Sequence, residues 1–222
     1  MLFRNDRWTE YRVSKGKLIT FEGIDGSGKS TQIKLLSDYL RSKGYRVVIL
    51  REPGGTEIGE RIRQILLDMR HDNMAAETEL FLFEAARAQL TREVLIPALE
   101  SGAWVISDRF SDSSIAYQGY GRGLSLEMIR SMNTWATGGI CPDMTILLEL
   151  GERTRDQRLR KRHVDGEHDR LDMESERFKQ RVCEGFREIA LDEPMRVVVV
   201  ESQGEKEDTA ALIREEVSRL WQ

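Results

Sequence analysis

Cysteine is scarce in this chain of 222 residues, with only Cys141 and Cys183 present. Two are too few for a disulfide framework and show no zinc spacing, so both read as small buried or half-buried residues in a reducing cytoplasm. Long apolar runs are missing as well. Nothing approaches the roughly 20 residues of a membrane span, and the opening MLFRNDRWTEYRVSKG lacks the apolar stretch of a signal peptide, which excludes a membrane protein and leaves export unsupported. Residues 1–16 instead read as a loosely ordered extension, with Trp8 or Tyr11 docking on the surface. Nor is there a surplus of positive charge: 34 Lys and Arg against 38 Asp and Glu leave a net charge of -4, which argues against a nucleic-acid partner held by a general basic surface. Repeats and low-complexity tracts are absent. Only four prolines occur, at 53, 97, 142 and 194, each suited to a turn or an element boundary.

What is present is enough for one large core. With 40% hydrophobic residues the length supports a single domain over 17–222 with a small insertion, while two full domains would be cramped. Five short runs of branched apolar residues, at 18–21, 47–50, 104–106, 144–148 and 197–200, do not alternate with polar residues. Strands of that kind are buried on both faces, as central parallel strands are. Helical spacing lies between them, over 31–43, 58–69, 77–100, 126–136, 153–162 and 175–191, and Ala210, Ile213, Val217 and Leu220 line one face of a last helix. Strand–helix alternation predicts an α/β fold with a five-stranded parallel sheet and helices on both faces.

The first strand ends at Gly23, and Gly23-Ile24-Asp25-Gly26-Ser27-Gly28-Lys29-Ser30 fits G-x-x-x-x-G-K-[ST] at every fixed position, with Thr31 opening the helical pattern. In such a loop the glycines let successive N–H groups converge on phosphate oxygens, and the helix N-terminus adds positive potential. Lys29 reaches the outer phosphates and Ser30 ligates Mg²⁺, so the loop binds a nucleoside triphosphate. An N-K-x-D motif for reading guanine is absent. Asp108-Arg109 follows the third strand instead, at the sheet edge where α/β proteins bind ligands. There Asp108 can hold Mg²⁺ through water and Arg109 can clamp a second phosphate.

These stretches, FEGIDGSGKSTQ from Phe21, REPGGT from Arg51, FLFEAARAQL from Phe81, DRFSDSSIAYQGYGRG from Asp108 and DRLDMES from Asp169, closely resemble the thymidylate kinase family from about Lys17 to the C-terminus. The resemblance implies a P-loop nucleoside monophosphate kinase fold and a homodimer. It also implies ATP-dependent phosphorylation of dTMP to dTDP in dTTP synthesis, with Mg²⁺ and no nucleic acid or membrane as partner. A kinase for another nucleoside monophosphate and a P-loop ATPase switch are the alternatives. The residue types suit phosphoryl transfer independently, because an acceptor phosphate is already mostly dianionic near neutral pH and the obstacle is charge rather than a missing base. Arg51 and Arg109, at two strand ends, are placed to grip the acceptor phosphate. Phe83 and Arg87, four apart on one helix, can stack on a base and hydrogen-bond its polar edge, although Phe83 alone would read as core. By resemblance Ser114 and Gln118 lie near the base, beside Ser113, with Pro53 bordering it from the opposite side. By the same resemblance Tyr117 crowds the 2' position of the sugar and Asp25 meets its 3'-hydroxyl.

Some members of this family carry an arginine inside the P-loop, where this chain has Asp25-Gly26-Ser27. The extra cation must then come from elsewhere. Six basic residues against the single acid Asp156 fall within 153–162, and Arg155, Arg158 and Arg162 share a helical face leading into the polar stretch HVDGEHD. This resembles the bacterial form, in which a lid, here at about 158–172, supplies catalytic arginines. Arg158 and Arg162 are the candidates beside Lys29 and Arg109. His163 and His168 read as surface residues, and Glu149 stands where relatives usually carry Asp.

Overall fold

The structure is a computed structural model that describes residues 16–150, 169–202 and 205–221. Five parallel strands run in the order β2-β3-β1-β4-β5: β1 Lys17–Glu22, β2 Val47–Arg51, β3 Trp104–Asp108, β4 Met144–Leu150 and β5 Val197–Ser202. β1 is central, and Leu18, Ile19, Thr20, Phe21 and Glu22 are all buried, which accounts for its near-continuous apolar run. A carboxylate at the last position of such a strand must find donors inside the protein. The register brings the functional strand ends together. Phe21 of β1 and Arg51 of β2 both pair with Asp108 of β3, so the loops after these three strands emerge side by side.

Helices cover both faces, as the alternation predicts. On one, α1 (Lys29–Ser42) and the last long helix, α8 (Lys206–Ser218), bury Ile33, Leu36, Leu40, Ile213 and Val217 against Ile19, Phe21, Ile106 and Ile146. On the other, α3 (Ala76–Leu90), α6 (Leu126–Thr137) and α7 (Glu176–Asp192) contribute Leu80, Ile129, Phe178, Val182 and Phe186. Helix starts carry their own signals. Thr56 caps α2 (Glu57–Leu67) by accepting from the Gly59 N–H, Ser125 caps α6 and Ser175 caps α7, and Gly138 ends α6 in the left-handed conformation.

The structure departs from the sequence reading in the helix at 77–100 and in the burial of Cys141, and it adds wide turns after β3. The single helix predicted over 77–100 widens after α3 into a π-helical turn at Thr91–Leu95 before α4 (Ile96–Glu100), whose Pro97, with no N–H to continue the helical ladder, follows closely on the wide turn. After β3 the short α5 (Ser111–Ser114) widens into π-helical turns over Ile115–Gly121. Cys141 is exposed rather than buried, on the approach to β4, whereas Cys183 is half-buried. The extension, the basic helix at 153–162 with Arg158 and Arg162, both lid histidines, and all of the lid before Asp169 lie outside the described residues. Among the described residues no helix is long and apolar enough to cross a membrane.

Candidate active site

The loop between β1 and α1 turns at Gly23, whose φ of 128° and surroundings demand glycine: a Cβ there would lie 2.5 Å from the Leu148 carbonyl oxygen. Gly28, with φ 100°, delivers the chain into α1. Lys29 is buried, and its Nζ donates to the carbonyl oxygens of Gly23 and Ile24, each at 3.0 Å. Burial, with Arg109 adding repulsion, brings its pKa down to about 8. The ammonium is therefore poorly solvated and readily drawn to an anion.

Facing it across a cavity of about 630 Å³ is the loop after β3. Arg109 has φ 71°, the one positive value at a non-glycine position among the described residues. The strain is held by its surroundings. The Arg109 N–H donates to the Phe21 carbonyl at 3.0 Å, and its own carbonyl accepts from Ser107 Oγ at 2.7 Å. The guanidinium donates to Asp25 at 3.0 Å, Tyr117 Oη at 3.1 Å and Ser113 Oγ at 3.2 Å. Burial works against its charge, but the carboxylates around it, Asp25 first, outweigh that and hold it well above the ordinary range. Burial also pushes the Tyr117 phenol up, keeping it a neutral hydroxyl.

Ser30 Oγ lies 3.5 Å from Asp108 Oδ2 at the exposed mouth of the P-loop. No group of three or more metal-ligating side chains occurs among the described residues. Mg²⁺ does not require one, since it takes a few hard oxygen ligands and keeps waters and phosphate oxygens for the rest. The Ser30–Asp108 pair fits that demand.

Of the residues singled out in the sequence, Asp25, Gly26, Gly28, Lys29, Ser30, Thr31, Arg51, Pro53, Phe83, Asp108, Arg109, Ser113, Ser114, Tyr117 and Gln118 line the one cavity. Gly23, Ile24 and Ser27 shape the loop behind it. Pro53 follows a cis peptide bond, and Arg51 is exposed, donating to Glu60 at 2.6 Å. Arg87 departs from its predicted place. It is 1% exposed and does not line the cavity. Its guanidinium donates to Glu52 at 2.8 Å, to Ser114 Oγ at 2.9 Å, to Asn133 at 2.8 Å, to the Phe110 carbonyl at 3.0 Å and to Glu84. The physical reason is countercharge, since Glu52 and Glu84 make burial of a guanidinium tolerable and keep it charged despite desolvation. Glu149 pairs with Arg187 at 2.8 Å and does not line the cavity.

Sequence reasoning missed Arg63, Leu67, Asp169 and Leu171, all of which line the cavity. Arg63 donates to the Pro53 carbonyl at 2.9 Å, tying α2 to the loop after β2. Its spacing from Glu60 and Leu67 along α2 was the available signal. Glu22 was passed over as a motif letter. It is fully buried, accepts from the Phe110 N–H at 2.7 Å and from Ser113 Oγ at 2.6 Å, and burial with Asp112 nearby pushes its pKa up to about 7.

A P-loop and an opposed arginine clamp sharing one cavity match a known pattern. The thymidylate kinase family model matches residues 21–213. The chain belongs to the thymidylate kinase family. It is 48% identical over 200 residues to a thymidylate kinase of Desulfovibrio desulfuricans (strain ATCC 27774 / DSM 6949 / MB), covering 88% of this chain and 92% of the relative. To a thymidylate kinase of Kosmotoga olearia it is 48% identical over 183 residues, covering 82% and 86%. The crystal structure of thymidylate kinase from Ehrlichia chaffeensis matches with a TM-score of 0.74 at 33% identity, covering 91% of this chain and 98% of that one. The thymidylate kinase family thus accounts for the P-loop, the β3 clamp and the sheet order together.

Proposed function

We propose that this chain transfers the γ-phosphoryl group of ATP to dTMP, giving ADP and dTDP in the synthesis of dTTP. The observation that carries the reading is the single cavity that joins Lys29 and Ser30 of the P-loop to Arg51, Phe83, Arg109, Tyr117 and Gln118 opposite. A donor pocket alone would serve an ATPase. A second pocket ending in an arginine clamp and a ring serves an acceptor nucleotide.

The chemistry assigned to the residues follows from charge. Lys29 exchanges its carbonyl partners for the outer phosphates of ATP, while Arg109 and Arg51 hold the acceptor phosphate in line with them. Ser30 and Asp108 would hold Mg²⁺, which supplies positive charge to the phosphate oxygens when bound. No general base is needed, because the acceptor oxygen is already anionic. Phe83 and Pro53 enclose the base, Ser114 and Gln118 address its polar edge, and Arg87 supports that edge from behind through Ser114. Tyr117 and Asp25 meet the 2' and 3' positions of a deoxyribose. Because the P-loop carries no arginine, we assign the remaining transition-state charge to Arg158 and Arg162 of the lid. The reaction is placed in the cytoplasm. A homodimer is part of the same reading, supported by the exposed apolar residues Ile58 and Ile65 on α2, Phe81 on α3 and Trp135 on α6. α3 packs beside both of the other helices.

A coupled ADP-release assay with dTMP, dUMP, dGMP, AMP or no acceptor tests the activity. Release should depend on dTMP, and equal release with and without it sinks the reading.

A further inference from the structure

Behind the base end of the cavity lies a carboxylate to which the phosphoryl-transfer reading gives no task. Glu79 of α3 is completely buried. Its Oε1 accepts from Gln118 Nε2 at 2.8 Å and Arg122 Nε at 3.1 Å, and its Oε2 accepts from Arg122 Nη2 at 2.8 Å and Arg170 Nη2 at 2.6 Å. Burial opposes the charge, but the bonds from Arg122 and Gln118 outweigh it and hold the carboxyl below its usual range. Glu79 is therefore an acceptor only, with both oxygens engaged.

We infer that Glu79 is a specificity-determining positioning residue, which locks the Gln118 side-chain amide in the one orientation that accepts a pyrimidine carrying an N3–H. The argument is one of hydrogen-bond polarity and rests on the thymidylate kinase reading. An ionised carboxylate forces Gln118 to turn its NH₂ toward α3, so its carbonyl Oε1 is the acceptor left for an occupant of the cavity that Gln118 lines. Thymine and uracil present a donor at N3 beside an acceptor at O4, which an amide so oriented complements. Cytosine inverts both, with an acceptor at N3 and a donor at the 4-amino group. Pairing with cytosine would require the amide to flip, which would set its carbonyl oxygen against the Glu79 carboxylate, two buried acceptors with no proton between them. Discrimination then comes from the residue behind the reader as much as from the reader.

The test uses dUMP and dCMP, which both lack the 5-methyl group and so isolate the polar edge, with dTMP as reference and the full-length protein throughout. In Glu79→Gln the new amide can donate to a flipped Gln118, and the dUMP:dCMP ratio of kcat/KM should fall at least tenfold. An unchanged ratio in the folded variant overturns the inference. Gln118→Met guards against a variant that does not fold, because removing the reader should bring the ratio close to one. If Gln118→Met keeps the wild-type ratio, the amide does not read the edge and the inference fails whatever Glu79→Gln does. In the Gln118→Met background, adding Glu79→Gln should leave the ratio unmoved, since the two residues act through one contact. A further fall of the same size would refute action through Gln118. Failure of wild type to use dTMP at all would instead strike the thymidylate kinase reading.

Discussion

Glu22→Gln is the perturbation that best separates the physics of this site from its motif. Glu22 ends the central strand, is fully buried, and holds the clamp loop by accepting from the Phe110 N–H and from Ser113 Oγ, the hydroxyl that in turn accepts from Arg109. Burial, with Asp112 adding to it, raises its pKa from an ordinary 4.5 to about 7. The sign follows from proton counts. Below the unfolded value both states carry the proton, and between the two values the unfolded chain ionises first, so stability falls as pH rises through that window and stays reduced above it. At about 1.4 kcal/mol per unit, the loss is on the order of 3 kcal/mol by pH 8. Glutamine keeps both contacts, its oxygen accepting from Phe110 and its NH₂ donating to Ser113 Oγ, and it cannot ionise. Urea unfolding of both proteins at a series of pH values from 5 to 8 gives a difference in which the other titrating groups cancel. That difference should grow with pH in favour of Glu22→Gln, by roughly the amount just stated, while turnover falls as Arg109 loses a countercharge. A stability difference that is flat across the series would refute the assignment of a buried, elevated carboxyl.

Arg109→Ala removes the acceptor clamp and leaves the P-loop, so kcat/KM for dTMP should drop by about 100- to 1000-fold. The Kd for ATP by calorimetry should change little, and a collapse of ATP affinity would count against the clamp role. Arg162→Ala should lower kcat more than it raises KM if the lid arginine acts in the transition state, and an unchanged kcat returns the basic helix to a solvated surface. Phe81→Glu, in the apolar surface formed with α2 and α6, should shift equilibrium sedimentation from dimer to monomer. A wild type that sediments as a monomer at micromolar concentration removes the dimer from the reading.

The strands and the P-loop are legible in the sequence because their causes are local. A strand buried on both faces needs an unbroken apolar run, and a phosphate loop needs glycines at fixed spacing before a helix. Arg63 and Arg87 show where legibility stops. Arg87 stands four residues after Phe83, yet the cavity takes Phe83 and leaves Arg87 behind its wall. What decides this is Glu52, 35 positions earlier in the chain, and Asn133 on α6, together with Glu84 one turn before Arg87; the pattern along α3 shows only Glu84. Arg63 shares a face of α2 with Glu60 and Leu67, which the spacing shows, but that this face meets the Pro53 carbonyl and the cavity depends on contacts made across the fold. The π-helical turns are hidden for the same reason, since wide and ordinary helical turns share an apolar period over so few residues.

The arginines around the cavity depend on acids placed beside or beneath them. The arginines in and behind the cavity wall are backed by carboxylates, most of them buried: Arg109 by the partly exposed Asp25 with buried Glu22 beneath it, Arg87 by Glu52 and Glu84, and Arg122 and Arg170 by Glu79. A buried arginine without such a partner would be too costly to keep, while one fully neutralised by it would be a poor anion site. Arg109 escapes that dilemma because Asp25, its closest acid, is partly exposed and lines the cavity, so an incoming phosphate can compete for the guanidinium from the solvent side. Arg87 keeps its guanidinium behind the cavity wall, where Glu84 and Asn133 hold it as well as Glu52, and it stays structural. The division between arginines that bind and arginines that brace therefore follows from whether the guanidinium itself reaches the cavity: Arg109 lines it, whereas Arg87 does not, although its partner Glu52 does.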